Sequence, residues 1–335
     1  MQIFRVCHDT QSPGGTEMTE HPKIINTWRS DHCPLYSPKD LGLNVREEAI
    51  VQLRPGDFTV DVSVASSENV SLVSVATAVD SVGVTVLDPG YTAFALPVSW
   101  SGEYLVNGES ASASNLYMPG EHDSFHLRSK SRLTQGVIVP RLAFTSTVAA
   151  LRGVDLEDVE LSARVLRMHP KAGAMIRARI AAILNEVMGS KRPRRTALEL
   201  EEEILGLMAE AYVGARQSPR GRVRRTDRIV RLAEERFMAA EGGPLSLADI
   251  CMAAGVSKSA VYTAFDRVCG VSPLAYFHKR RLTDVRSKLV NGAPRRGLVK
   301  QTALEAGLSE LGRFAGEYRE LFGELPSTTL NRQPP

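Results

Sequence analysis

The chain has 335 residues, more than one typical domain holds, so two domains are expected. Hydrophobic content of 43% and charged content of 24% are ordinary for a soluble globular protein, and no run of 18 apolar residues offers a membrane-spanning helix. The net charge of +3 conceals an asymmetry: from Ala215 onward 21 Lys+Arg face 12 Asp+Glu, and the remainder is net acidic. That is the pattern of a nucleic-acid-binding module joined to a part that binds none.

The opening MQIFRVCHDTQSPGG has neither the basic start nor the apolar run of a signal peptide, so a cytoplasmic protein is expected. Cys7, Cys33, Cys251 and Cys269 show no metal-ligand spacing. Cys251 and Cys269 fall at apolar helical positions and read as small buried residues in a reducing compartment. Residues 1–22, rich in Gly, Pro, Ser and Thr, read as an unstructured lead-in.

From 23 to 150 the pattern is β. Phe58–Ser66, Val70–Ala78, Val82–Asp88, Thr92–Trp100 and Thr134–Arg141 carry strand patterns, most of them alternating apolar and polar residues. Pro55-Gly56, Pro89-Gly90, Ser101-Gly102, Asn107-Gly108 and Pro119-Gly120 punctuate them. Many short strands with frequent turns predict an antiparallel sandwich or barrel.

From 151 to 215 the period becomes helical. DLEDVELSARVLRMH is followed by AGAMIRARIAAILNEVMG, which Gly189 stops. After the basic loop Lys191–Arg195, Thr196 and Glu199 form a capping box for a helix with Ile204, Met208, Ala211 and Tyr212 on one stripe. Residues 216–225, with five arginines, a proline and a glycine, read as a basic linker able to touch phosphates. Thr226 then caps a helix that ends at Gly242-Gly243-Pro244.

Leu245–Val268 is the most informative stretch. Ser246 and Asp249 make a capping box, and Leu247, Ile250, Cys251 and Ala254 share a helix face. Gly255 ends that helix in a left-handed turn. Ser257 starts a second helix whose buried stripe is Val261, Ala264, Phe265 and Val268. Two short helices joined by a glycine turn, over about 247–268, make a helix-turn-helix. A second copy follows over about 299–322, with Gly307 and Ser309 in the places of Gly255 and Ser257, and Phe314 and Tyr318 in those of Val261 and Phe265. Between them a helix at 273–290 is capped by Ser272, with Pro273 at its first position. Leu274, Phe277, Leu282, Val285 and Leu289 are its apolar candidates.

Two helix-turn-helix units bridged by one helix, carrying GVSKSAVYTAF, GVSPLAYFHKRRL and FGELPSTTL, resemble the DNA-binding domain of the AraC/XylS family of bacterial transcription regulators. The resemblance covers residues 226–335 and is weaker in the second unit, where Gly312 and Gly316 stand inside the recognition helix. Leu96–Leu127 resembles the cupin-like barrel that precedes that domain in many members. The fold class implied is α+β in two domains: a cupin-like antiparallel β-barrel or sandwich with following helices, then an all-α tandem helix-turn-helix. The resemblance further implies contacts with promoter DNA and RNA polymerase, a homodimer made through the helices at 151–215, a possible small-molecule effector, and activation rather than repression.

Ser257, Lys258, Ser259, Tyr262, Thr263 and Arg267 are the candidate DNA contacts of the first recognition helix, with Asp266 also on its outer face. Ser259, Tyr262 and Thr263 match the positions from which family members reach base edges. Ser309, Glu310 and Arg313 are the candidates of the second. Lys279, Arg280 and Arg281 are candidate backbone contacts, with Asp284 at helical spacing as the alternative ion-pair partner of one of them. Trp100, Tyr104, His126 and Arg141 are candidate linings of an effector pocket. Glu121, His122 and His126 are the nearest approach to a cupin metal set, but no His-x-His precedes them, so no metal, cofactor or catalytic residue is expected. The rival readings are a nonspecific architectural DNA binder and a cupin-type metalloenzyme fused to a DNA-binding domain.

Overall fold

A computed structural model describes residues 26–30, 42–56, 60–119, 123–161, 164–189, 195–217 and 225–331. An antiparallel sheet is followed by helices. The first strands are β1 (Asn26–Ser30), β2 (Val45–Gln52), β3 (Val60–Ser66), β4 (Ser71–Thr77), β5 (Ser81–Leu87) and β6 (Tyr91–Val106). After them come β7 (Glu109–Ser110), β8 (Asn115–Tyr117) and β9 (Ser124–Pro140). Helix α1 (Arg141–Arg152), a 3-10 turn at Leu156–Asp158, β10 (Val165–Arg167), α2 (Pro170–Gly189), α3 (Ala197–Gly214) and β11 (Arg216–Gln217) complete this half. The second half is helical: α4 (Arg225–Met238), α5 (Leu247–Ala254), α6 (Lys258–Cys269), α7 (Pro273–Asn291), α8 (Leu298–Glu305), α9 (Leu311–Phe322) and α10 (Pro326–Asn331).

The long strand β9 organises the sheet. One edge pairs with β6 from Tyr91↔Pro140 to Val106↔Leu127. The other edge pairs first with β5, through Ser124–Ser129, and then with β4, through Arg132–Ile138. This change of neighbour folds the sheet into a sandwich-like form rather than a closed barrel.

Three sequence expectations need correction. Ser101-Gly102 is no turn: it lies inside β6 at a register shift, with Gly102 at φ 67°. The stretch read as helix before Pro170 contains β10, which extends the sheet from β8 to β11, so Arg216 and Gln217 are strand rather than linker. Thr226 lies within α4 rather than capping it, and its hydroxyl is buried without a partner. The lead-in 1–22 and most of the basic linker lie outside the described residues.

Helices α1, α2 and α3 cover one face of the sheet. The α3 stripe Ile204, Met208, Ala211 and Tyr212 is buried with Phe94, Leu96, Val137 and Phe144. The capping box of Thr196 and Glu199 opens this helix as expected. The dimer contact assigned to this segment is therefore not made by that stripe, whose apolar area is consumed within the chain. A second core joins the sheet to the helical half. Val51, Leu53, Val82, Val84 and Val86 pack with Ile229, Val230, Phe237, Ile250, Val261 and Phe265.

Candidate nucleic-acid interface

The first helix-turn-helix forms where its local chemistry directs. The Ser246 side chain accepts from the Asp249 backbone N–H while the Asp249 carboxylate accepts from that of Ser246. Gly255 closes α5 at φ 64°, in the left-handed region, and Ser257 caps α6. Val261, Ala264, Phe265 and Val268 are buried, with Phe265 edge-on to Tyr276 and Phe277 of α7. The stripe faces inward, so the rest of α6 is free. Ser257, Lys258, Ser259, Tyr262, Thr263, Asp266 and Arg267 are all exposed, with Tyr262 at 45%. The Thr263 hydroxyl donates to the Ser259 carbonyl at 2.9 Å, which leaves its lone pairs and methyl outward. Arg267 lies beside the β6–β7 turn at Gly108.

The second unit repeats the plan with weaker capping. Gly307 turns the chain at φ 77°. Glu310, not Ser309, is the N-cap of α9, and its side chain makes no capping bond. Phe314 and Tyr318 are buried, while Ser309, Glu310, Gly312, Arg313 and Gly316 are exposed. Arg313 is tied to its own helix, with Nε donating to Glu317 Oε1 at 2.9 Å. That hydrogen bond, and the Glu317 and Glu310 charges, raise its pKa further.

The bridging helix corrects the reading of its cations. Tyr276 is buried in it, whereas Leu274 is 45% exposed, and Ser272 makes no side-chain cap. Arg280 is buried, donating to Glu47 of β2 at 2.9 Å and to Asp284 at 3.3 Å. Arg281 donates to the carbonyls of Gly242, Gly243 and Ala306. Neither guanidinium points to a phosphate: one ties the helix to the sheet, the other staples the α4–α5 turn to the α8–α9 turn. The staple works at close range. A Cβ on Gly307 would lie 1.8 Å from Arg281 Nη1 and 2.1 Å from the Gly242 carbonyl oxygen. Lys279 is half-buried, as Arg281 is, and burial lowers its pKa. Exposed Arg296, Lys300 and Arg319 are cations of the second unit that the motif reading passed over; Arg296 was signalled by the pair after Pro294.

The effector-pocket candidates fall elsewhere. The cavity in the sheet is lined by none of Trp100, Tyr104, His126 or Arg141. Trp100 packs edge-on against Tyr104, whose hydroxyl bonds Thr134 Oγ1 at 2.7 Å. Arg141 pairs with Asp123 on the surface. His126 points to the helices, because its strand neighbours Phe125 and Leu127 take the cavity side. Its Nε2 lies 2.8 Å from Glu234 of α4, and both side chains are 1% exposed. Burial alone would raise the pKa of Glu234, but the His126 charge and hydrogen bond, with Arg280 and Tyr276, hold it at about 2. Glu47 bridges Arg231 at 3.1 Å and Arg280 at 2.9 Å, and Gln52 Nε2 donates to the Leu321 carbonyl at 2.9 Å. The sheet thus grips both helix-turn-helix units. Glu121 and His122 lie outside the described residues, and among those described no group of three or more His, Cys, Asp or Glu could hold a metal. No helix there is long and apolar enough to cross a membrane.

Comparison with known proteins places residues 230–332 within a family model described as a helix-turn-helix domain. XylDLEGF operon transcriptional activator 2 of Pseudomonas putida is 36% identical over 105 residues, 31% of this chain and 64% of that protein. XylDLEGF operon transcriptional activator 1 of the same organism is 35% identical over 107 residues, 32% of this chain and 31% of that protein. A probable thc operon regulatory protein of Rhodococcus erythropolis is 33% identical over 106 residues, 32% of each chain. The chain thus spans 64% of the first relative and about a third of the other two. Among solved structures, a probable AraC family transcriptional regulator from Rhodopseudomonas palustris is 37% identical over 32% of this chain and 98% of that one, at a TM-score of 0.29. The AraC-like transcriptional activator CuxR is 14% identical over 77% of this chain and 94% of that one, at 0.39. Scores this low carry no weight for how the two halves are arranged.

Proposed function

We propose that the C-terminal third of the chain is a DNA-binding domain of the AraC/XylS family of transcription regulators, and that the whole protein is a sequence-specific DNA-binding regulator, an activator, whose N-terminal sheet senses an effector. The observation that supports it best is the pair of outward-facing recognition helices, α6 and α9, held on one rigid frame by α7 and Arg281. Two such helices placed about one helical turn apart would enter successive major grooves on one face of the duplex. Residues 226–335 are the DNA-binding part in this reading, and residues 23–150 with the helices of 151–215 the sensing part. A homodimer would read two copies of a long half-site, and RNA polymerase is the partner an activator requires.

Ser259, Tyr262 and Thr263 are assigned to base edges, with Ser257 and Lys258 at the helix entrance. Serine and threonine hydroxyls donate and accept, and the threonine methyl can pack on a thymine methyl. Arg267 is assigned to phosphate. Ser309, Glu310 and Arg313 are assigned to the second groove, where Arg313 must first leave Glu317.

The test is binding of the full chain to its own upstream intergenic DNA and to scrambled DNA of equal length at physiological salt. A preference of about a thousandfold or more is expected of a specific regulator. Tyr262→Ala should then cost about tenfold or more on the specific DNA and little on the scrambled. A second reading, a nonspecific architectural binder, draws on α9, whose two glycines and self-paired arginine offer few groups to bases. It predicts a preference near one and a steep loss of binding with salt.

A further inference from the structure

Arg313 is the one cation in the first two turns of α9, where Gly312 and Gly316 carry no side chain. It is also held back. Its Nε donates to Glu317 Oε1 at 2.9 Å, one turn further along the same helix, and its Nη1 lies 4.0 Å from Glu310 Oε2. A guanidinium engaged in this way does not present its fork to a guanine, so the contribution of the second recognition helix depends on how firmly Glu317 holds.

Glu317 has a second partner. His278 on α7 lies across from it, with Nε2 2.8 Å from Glu317 Oε2. The two oxygens of one carboxylate are thus divided between a residue of the recognition helix and a residue of the bridging helix. An ionised carboxylate only accepts, so Nε2 carries a hydrogen whether or not the ring also holds a proton on Nδ1. The contact is the same in both charge states and its strength is not: the charged ring makes the stronger hydrogen bond and neutralises the carboxylate. His278 is the sole histidine of residues 226–335, and its side chain is 39% exposed, open to protons from solvent. The other charged groups here are Lys279 on α7, which feels Glu317 and Glu320 of α9 and Arg54 of the sheet, and Glu310 beside Arg313. Of these residue types only histidine ordinarily changes charge between about pH 5 and pH 8.

We propose that Glu317 and His278 are positioning residues for the second recognition helix: Glu317 withholds Arg313, and protonated His278 takes over the carboxylate and frees Arg313 for DNA. The proposal rests on the reading of α9 as a recognition helix. When Arg313 swings to DNA, Glu317 keeps a full counter-charge if His278 is protonated and only a neutral hydrogen bond if it is not. Release is therefore easier at low pH. By reciprocity, DNA that engages Arg313 holds the proton on His278 more tightly. The three side chains are between 27% and 68% exposed, which limits the effect to about two- to fivefold, the range of an exposed ion pair.

The test is fluorescence anisotropy of the full chain on its own upstream intergenic DNA and on scrambled DNA, at about pH 6 and about pH 8 and constant ionic strength. The readout is the preference for the first over the second, in which the attraction of any protonated histidine to phosphates largely cancels. The wild-type preference should be higher at the lower pH by about two- to fivefold. Glu317→Gln should raise the preference at the higher pH and remove the dependence on pH. His278→Gln should keep the wild-type high-pH value throughout, and Arg313→Ala should be flat and lower. In proton NMR the titration midpoint of the His278 ring should rise on binding the specific DNA, and by less in Arg313→Ala. Circular dichroism checks the fold of each variant, and all three replaced side chains lie outside the apolar cores. A wild-type preference that ignores pH, a dependence undiminished in folded Glu317→Gln, or no gain for Glu317→Gln at the higher pH would each overturn the proposal. A chain that prefers its upstream DNA equally at both pH values keeps the regulator reading and loses this one, whereas a chain that prefers no sequence at either pH loses both.

Discussion

Removing the carboxylate of Glu47 should loosen the sheet from the helices without unfolding either. In the structure Oε1 accepts from Arg280 Nη2 at 2.9 Å and Oε2 from Arg231 Nη1 at 3.1 Å. Both guanidiniums are 5% exposed. A hydrogen bond to a charged group contributes about 1.5–3 kcal/mol, so two give a ceiling of roughly 6. The loss will be smaller, because Arg280 keeps Asp284 at 3.3 Å and Arg231 keeps Glu235 at 3.2 Å. We take about 3 kcal/mol for Glu47→Ala, which is roughly a 150-fold change in an opening equilibrium. Hydrogen exchange read by mass spectrometry resolves this by segment. Amides of β2, α4 and α7 should exchange about 100-fold faster in the variant, whereas those of α2 and α3, in a different core, should not change. Acceleration of less than about threefold in α7 would show that the arginines are satisfied by their helical neighbours, and that Glu47 does not hold the two halves together.

Other expectations follow from the same contacts. Glu234 sits at about 2 against an ordinary 4.5, so its contribution to stability is present above pH 4.5 and lost as the pH falls through 2. The melting temperature of the wild type should therefore drop more steeply over that interval than that of Glu234→Gln, and parallel slopes would contradict the assignment. Gly312→Ala and Gly316→Ala meet nothing within 4 Å and should each stabilise the chain by about 0.5–1 kcal/mol in thermal or urea denaturation. Gly307→Ala should do the opposite, since the methyl must displace Arg281 and the Gly242 carbonyl while φ stays positive. Arg281→Ala should retain both units but lose their registry. Its affinity for a full site should fall well below that of the wild type, while DNA carrying a site for one unit is bound as before.

The tandem helix-turn-helix was legible because its instructions are local. Ser246, Asp249, Gly255 and Ser257 set the ends of α5 and α6 within one short stretch, and each does in the structure what its chemistry predicts. Strand β2 was missed for the opposite reason. Glu47 and Glu48 break the apolar alternation, and the groups that make Glu47 tolerable in a sheet, Arg231 and Arg280, are 184 and 233 residues away. The same holds for the middle of β9, where Lys130–Arg132 falls outside the strand patterns because nothing nearby in sequence shows that Arg132 is buried. The pocket candidates were chosen by residue type, aromatic or basic. Which wall a side chain serves is decided by strand parity, and that requires knowing where the strand begins.

The four valines that β2 and β5 lend to the first helix-turn-helix, with Leu53 just after β2, restrict how this protein can be rearranged. A chimaera that joins α4 and everything after it to a foreign sensor would leave Ile229, Val230 and Phe237 short of their cover. Such a hybrid would aggregate, or would need a replacement strand pair of matching shape. The seam for transplantation does not run through the basic linker, where charge and composition change. It runs between β5 and the sheet interior, so a working exchange of sensors must carry β2 and β5 along with the helices they complete.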